Sequence, residues 1–241
     1  LLLILAISPG VGDAYELVPD PDFECDACDD WNQPQTPFRV FGNTWYVGTD
    51  GLSWILVETS DGLLLFDGGL PQSAVLIVGN VRALGLDPLD IKAIFVSHAH
   101  YDHVGGVNAL QRMTRAQVFT SEAGVEPLTT GRLMPDDPQY VADSDHGRFP
   151  AIRKVTAVAD GEVVTIGDVD VKAVHTPGHA RSSVTWTWES CALGTCYDVV
   201  YADSLTAVSA PGFSYVESGA AETMIESAGR IADLECDILL T

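Results

Sequence analysis

Apolar and polar positions along this chain fall into two rounds, each opening with short β-type segments and closing in a helical one. In GNTWYVGTDGLSWILVETSDGLLLFDGG the apolar runs are short and broken at Asp50-Gly51 and Asp61-Gly62. Both dipeptides favour tight turns, so the stretch predicts three strands. PQSAVLIVGNVRALG then sets Val75, Val78, Val81 and Leu84 at helical spacing and meets a stop at Gly85, which predicts a helix. IKAIFVS reads as a buried strand, GGVNALQRM as the start of a helix and AQVFTS as a further strand. The segment from Glu122 to Pro150 is loop-rich, with room for one helix. In the second round KVTAVAD, EVVTIG, VDVKAVH, SVTWTWE and YDVVYAD read as strands, and a helix from about Ala221 to Leu234 leads into CDILLT. No repeat, low-complexity tract or linker divides the chain. The pattern predicts an α/β (α+β) protein with sheets inside and helices outside, one domain over residues 15–241. It does not specify the order of the strands.

Composition adds a strong charge bias. Of 241 residues, 46% are hydrophobic and 19% charged, which is the make-up of a compact globular chain. Acidic residues outnumber basic ones 34 to 12, for a net charge of −22. Nucleic acid is excluded as a partner on this balance, because phosphate binding needs clustered Lys and Arg. Lysine occurs only at Lys92, Lys154 and Lys172. So acidic a surface repels itself, and dissolved salt relieves that repulsion, which suits a saline habitat.

At the N-terminus, the apolar run Leu1 to Ile7 is followed by Pro9 and Gly10 and by the small residues Gly12 and Ala14. This reads as the latter part of a secretory signal peptide over residues 1–14, too short to span a bilayer. The expectation is a secreted or periplasmic protein with no stable membrane span. The cysteines fit export. Cys191 and Cys196 bracket ALGT and are placed to clamp a hairpin. Cys25 and Cys28 pair with each other or with partners the sequence does not assign, and Cys236 is left over.

The chemistry concentrates in SHAHYDHVGG, which puts His98, His100, Asp102 and His103 within six positions. Alternation along an extended strand end points the rings of His98 and His100 the same way, and Asp102 and His103 follow on the curving loop. Imidazole and carboxylate donors without a thiolate suit a zinc ion. Gly105-Gly106 lets the backbone turn into a helix. His179, held by the Pro-Gly turn of HTPGHARSS, is a further ligand candidate. His175 reads as a packed or outer histidine, and His146 as a solvated loop residue.

HAHYDHVGG, followed by TPGH at 176–179 and preceded by FDGG at 66–69, resembles the metallo-β-lactamase superfamily. GNTWYVGTDGLSWILVET, DIKAIFVSHAHYDHVGG, SVTWTWESC and YADSLTAVSAPGFSY are similar to its subclass B3, over about Cys25 to Thr241. The resemblance implies an αββα sandwich, two facing mixed β-sheets with helices outside, carrying two Zn²⁺ at one edge. It implies that His98, His100 and His179 hold the first zinc, and that Asp102 and His103 hold the second with a histidine beyond Thr241. It also implies a partner for Cys236 beyond that point, so the chain reads as a fragment lacking both ends. The implied activity is hydrolysis of the β-lactam amide bond of penicillins, cephalosporins and carbapenems by a metal-bound hydroxide that Asp102 orients. Ser204 and Thr206 would bind the substrate carboxylate, or merely cap a turn; Trp31 would line the mouth, or merely pack.

The chain departs from the family pattern at Ala99, where Glu is frequent, and at HARSS, where Arg181 adds a charge that meets an anionic substrate or an acidic neighbour. Superfamily relatives cleave thiolesters and lactones, so a glyoxalase-II-like thiolesterase or an acyl-homoserine lactonase is the competing reading, with Asp203 as a metal ligand. A non-catalytic secreted zinc-binding protein is a third. The charge balance itself is testable: added salt should raise the melting temperature in a salt titration, and a flat curve would remove the saline-habitat reading.

Overall fold

A computed structural model describes residues 16–145 and 147–241. The leader expected at residues 1–14 and the loop residue His146 lie outside the described residues. One sheet has seven strands in sequence order: β1 (Phe38–Phe41), β2 (Thr44–Tyr46), β3 (Ile55–Thr59), β4 (Gly62–Phe66), β5 (Ile91–Phe95), β6 (Gln117–Ser121) and β7 (Val155–Val158). β1 to β4 pair antiparallel, whereas β4 to β7 pair parallel through helical crossovers. The second sheet has five strands, β8 (Val163–Ile166), β9 (Val169–His175), β10 (Val184–Ala192), β11 (Thr195–Tyr201) and β12 (Ile238–Leu240), in the order β12-β11-β10-β9-β8. The helices are α1 (Cys28–Trp31), α2 (Ser73–Ala83), α3 (Tyr101–Val104), α4 (Val107–Thr114), α5 (Glu122–Thr130), α6 (Tyr215–Ser218) and α7 (Ala220–Ala232).

The run LLLF shows why the first sheet sits in the middle of the molecule. Leu63 and Leu65 point outward into a layer formed with Ile77, Val81, Val107 and Leu110 of α2 and α4. Leu64 and Phe66 point the other way, into the space between the sheets. A strand covered on both faces has no polar face to show, hence the unbroken apolar run. β9 is different: Val169, Val171 and Ala173 are buried while Asp170 and Lys172 are exposed, the alternation of a strand with one wet face. Between the sheets Phe66 stacks on Trp188 at 4.4 Å, and Phe95 meets the edge of Trp186 at 5.0 Å. The αββα arrangement expected from the resemblance is present.

The structure differs from the sequence pattern at three places. Within α2 the buried stripe is Ala74, Ile77, Val78 and Val81, while Val75 is 52% exposed. With apolar residues at Val75 and Leu76 as well as on the buried stripe, the sequence leaves the helix orientation to the sheet beneath it. The loop expected after His100 is instead the short helix α3, which carries Asp102 and His103. β1, flanked by a Pro-rich entry, has too few residues for its period to show. The expected Cys191–Cys196 bond lies directly across the β10–β11 register, and Cys25 and Cys28, whose partners the sequence left open, are bonded to each other. Cys236 is free and exposed. Among the described residues no helix is long and apolar enough to cross a membrane.

Trp186 is fully buried and donates from Nε1 to the Val96 carbonyl at 3.1 Å, just before the histidine cluster. Trp186→Ala is expected to cost about 3–5 kcal/mol, read as a lower denaturant midpoint at unchanged slope.

Candidate metal centre

The cluster forms where parallel strands release their carboxyl ends. β4 delivers Asp67, β5 delivers Ser97 and His98, and the second sheet contributes His179 from the β9–β10 turn and Asp203 after β11. Crevices beyond the carboxyl ends of parallel strands are the usual ligand sites of such sheets. Two turns are tight enough to need glycine. A Cβ on Gly69, at φ +63°, would run into the Trp54 ring, and one on Gly106 would meet the Gly68 carbonyl.

His98, His100 and His179 bring nitrogens within 4.8 Å of one another, and His98, Asp102 and His103 form a second such group. Each ring is held from behind through one nitrogen and so presents the other. His98 Nδ1 lies 2.7 Å from Asp203 Oδ1, and His103 Nδ1 lies 2.8 Å from Asp67 Oδ2. His179 Nδ1 donates to the Thr206 carbonyl at 2.8 Å. His100 is held the other way round, with Nε2 at 3.1 Å from both carboxylate oxygens of Asp137. Its Nδ1 then lies 3.1 Å from His179 Nε2, facing the same point, and 3.2 Å from the Gln139 side-chain amide nitrogen. Outer partners of this kind fix tautomer and ring orientation in metal sites.

The electrostatics separate the rings. Burial, reinforced by the neighbouring imidazoles, holds His98 well below its ordinary value. Burial and His100 bring His179 down to about 4. Both are therefore neutral at pH 7, with a lone pair to give. Burial would also lower His103, but the carboxylates of Asp102 and Asp67 outweigh it and raise the ring to about 9. Burial pushes the Asp203 carboxyl up to about 7, against the Ser183 hydroxyl bond that favours its ionised form. His98 Nε2 is buried and has no hydrogen-bond partner among the described residues, which fits a nitrogen whose lone pair is meant for a cation. Four imidazoles with one carboxylate and no thiolate fit zinc.

All five ligand candidates from the sequence therefore meet at one place. Asp102 Oδ2 lies 3.6 Å from His103 Nε2, on the inner side of that ring. Asp203 sits behind His98 and belongs to neither donor group. His175 packs away from the cluster, with Nε2 at 3.1 Å from the Val158 carbonyl. Arg181 is ion-paired with Asp136 at the surface. Ser204 is half-buried and Thr206 exposed on the loop after β11, where the Thr206 carbonyl serves His179. The sequence pattern marks Asp67 only as part of FDGG and does not single out Asp137 at all. An Asp followed by two glycines at a strand end was a usable signal for the first; nothing local distinguishes Asp137 among so many acidic residues.

A family model described as the metallo-beta-lactamase superfamily matches residues 47–241. The chain belongs to this superfamily. Among solved structures it resembles MEM-A1, a subclass B3 metallo-beta-lactamase from a soil metagenome library, with TM-score 0.83 and 42% identity over 87% of this chain and 80% of that one. A B3 metallo-beta-lactamase with an active site glutamic acid superposes with TM-score 0.86 at 41% identity, covering 95% and 85% of the two chains. Curated relatives are more distant. An acyl-coenzyme A thioesterase of Gallus gallus is 28% identical over 166 residues, covering 62% of this chain and 58% of that protein. A hydroxyacylglutathione hydrolase of Gloeobacter violaceus is 25% identical over 146 residues, covering 61% and 46%. The chain thus spans about half the length of the curated relatives it matches.

The separated ring pKa values give this superfamily member a proton signature. In histidine NMR of the metal-free protein, His103 should titrate near 9 and His179 near 4. Zinc reaching the His103 group at pH 7 should then release about one proton, measured by calorimetry in buffers of different ionisation enthalpy.

Proposed function

We propose that this protein is an exported metallo-β-lactamase that hydrolyses the amide bond of β-lactam antibiotics. The observation that carries the reading is the likeness to subclass B3 enzymes at 41–42% identity over 80–85% of their chains. That likeness is much higher than the 25–28% shared with the thiolester-cleaving relatives. The proposed cofactors are two Zn²⁺, one on His98, His100 and His179 and one on Asp102 and His103. Zinc in such a site supplies a Lewis acid for the lactam carbonyl and lowers the pKa of water to about 7. The side chains do the positioning. Asp102 accepts a hydrogen bond at its carboxylate and aims the attacking water at the carbonyl carbon, while His103 stays oriented by Asp67. The Ser204 and Thr206 hydroxyls receive the substrate carboxylate at the mouth. The two disulfides support a location outside the reducing cytoplasm, with residues 15–241 belonging to the catalytic domain behind a cleaved leader.

Thiolester hydrolysis is the second reading, favoured by the names of the curated relatives. The position of Asp203 behind His98, away from both donor groups, weighs against the metal-ligand role that this alternative gives it. The deciding assay follows ring opening of a cephalosporin and a carbapenem by absorbance, with a thiolester and an acyl-homoserine lactone in parallel. Fast lactam loss, abolished by a zinc chelator, is expected. Silence on lactams with turnover of the thiolester or lactone would move the protein to the second reading.

A further inference from the structure

Three of the four clustered histidines are gripped through Nδ1 and present Nε2; His100 alone is gripped through Nε2 and presents Nδ1. The partner at Nε2 is Asp137, a residue far along the chain in the loop between α5 and β7, while the Gln139 side-chain amide nitrogen lies 3.2 Å from Nδ1. We propose that Asp137 is a positioning residue that holds the His100 proton on Nε2 and so turns the Nδ1 lone pair into the cluster. The inference rests on the metal-site reading of His98, His100 and His179, but not on which substrate is cleaved.

Four observations carry it. Both Asp137 oxygens lie at 3.1 Å from His100 Nε2, so the carboxylate faces the ring edge squarely and requires a proton there. The two side chains are buried together, His100 at 2% and Asp137 at 8% exposure. A buried carboxylate is costly unless a charge or hydrogen bonds compensate it. Here Arg181 is engaged by the neighbouring Asp136, and His100 is the ion-pair partner of Asp137 among the described residues. Finally, Asp137 sits in a turn built to hold it still. Its amide donates to the Met134 carbonyl at 2.9 Å, its carbonyl accepts from the Tyr140 amide at 3.0 Å, and its own Oδ1 accepts from the Gln139 amide at 2.9 Å.

The turn is also tied to the rest of the site. Ala210 donates to the Pro138 carbonyl at 2.8 Å, which joins it to the segment following Thr206, the residue whose carbonyl orients His179. The Arg181–Asp136 ion pair joins it to the loop that carries His179. A role confined to stabilising the turn would occupy one carboxylate oxygen, on the Gln139 amide. It does not account for the second oxygen, or for the approach of both to a buried imidazole.

The test begins with the metal-free wild-type protein labelled with ¹⁵N-histidine. Long-range ¹H–¹⁵N spectra should show His100 protonated on Nε2 and unprotonated on Nδ1. Protonation on Nδ1 instead would overturn the proposal without any variant. Asp137→Ala should then give a mixture of His100 tautomers, leave the other rings unchanged and weaken zinc binding about 10- to 100-fold by chelator competition. Asp137→Asn keeps an acceptor oxygen and should retain most of the wild-type tautomer and affinity. A folded Asp137→Ala protein with the wild-type His100 tautomer and zinc affinity within about twofold would confine Asp137 to the turn. Lactam hydrolysis can fail in the separate assay while these outcomes hold, and then the substrate assignment falls and the positioning role stands.

Discussion

The Asp67 carboxylate accepts from the Ser97 amide and hydroxyl, both at 2.7 Å, from Tyr201 Oη at 2.9 Å, and faces His103 Nδ1 at 2.8 Å. These donors come from the end of β5, from β11 of the opposite sheet and from α3, while Asp67 itself ends β4. One buried charge thus ties both sheets to the segment that carries the clustered histidines. Its burial is tolerable because its hydrogen-bonding capacity is filled. Asp67 also holds a left-handed backbone, φ 62°, which an acidic turn residue tolerates better than most. The chain can then double back so that Gly68 donates to the His103 carbonyl at 2.7 Å. If that turn were displaced, both His103 and the strand end bearing His98 would lose their reference.

The site repeats the same device. Asp203 lies behind His98, Asp137 behind His100, Asp67 behind His103, and a carbonyl behind His179. Rings held from behind in this way keep one nitrogen aimed inward, so less ordering remains to be done on binding. The acidic composition acquires a local meaning here. Three of the carboxylates that raise the charge to −22 are buried and do structural work on imidazoles, unlike the exposed majority that set the surface field.

The two donor groups are also unlike one another electrically. One contains His98 and His179, kept neutral by burial and the neighbouring imidazoles; the other contains His103, kept protonated by its carboxylates. A cation entering the second group must displace the His103 proton, whereas His98 and His179 hold none to displace. Affinity for metal therefore depends on pH differently at the two places, although they are only ångströms apart.

Much of this was legible locally. The alternation of β9, the unbroken LLLF and IKAIFVS runs, the Asp61-Gly62 turn and the Cys191–Cys196 clamp are short-range features, because side-chain period and turn chemistry act over a few residues. The histidine cluster was legible for the same reason: its spacing along one strand end already predicts a shared direction. The tertiary structure alone decided which face of α2 is buried, since its apolar residues extend beyond the buried stripe and only the sheet beneath selects among them. It alone decided strand order, and it alone brought Asp137, Asp203 and Thr206 behind their rings. Those contacts span from 27 to 105 positions, and an aspartate that will be buried against an imidazole carries no local mark separating it from one that will face water.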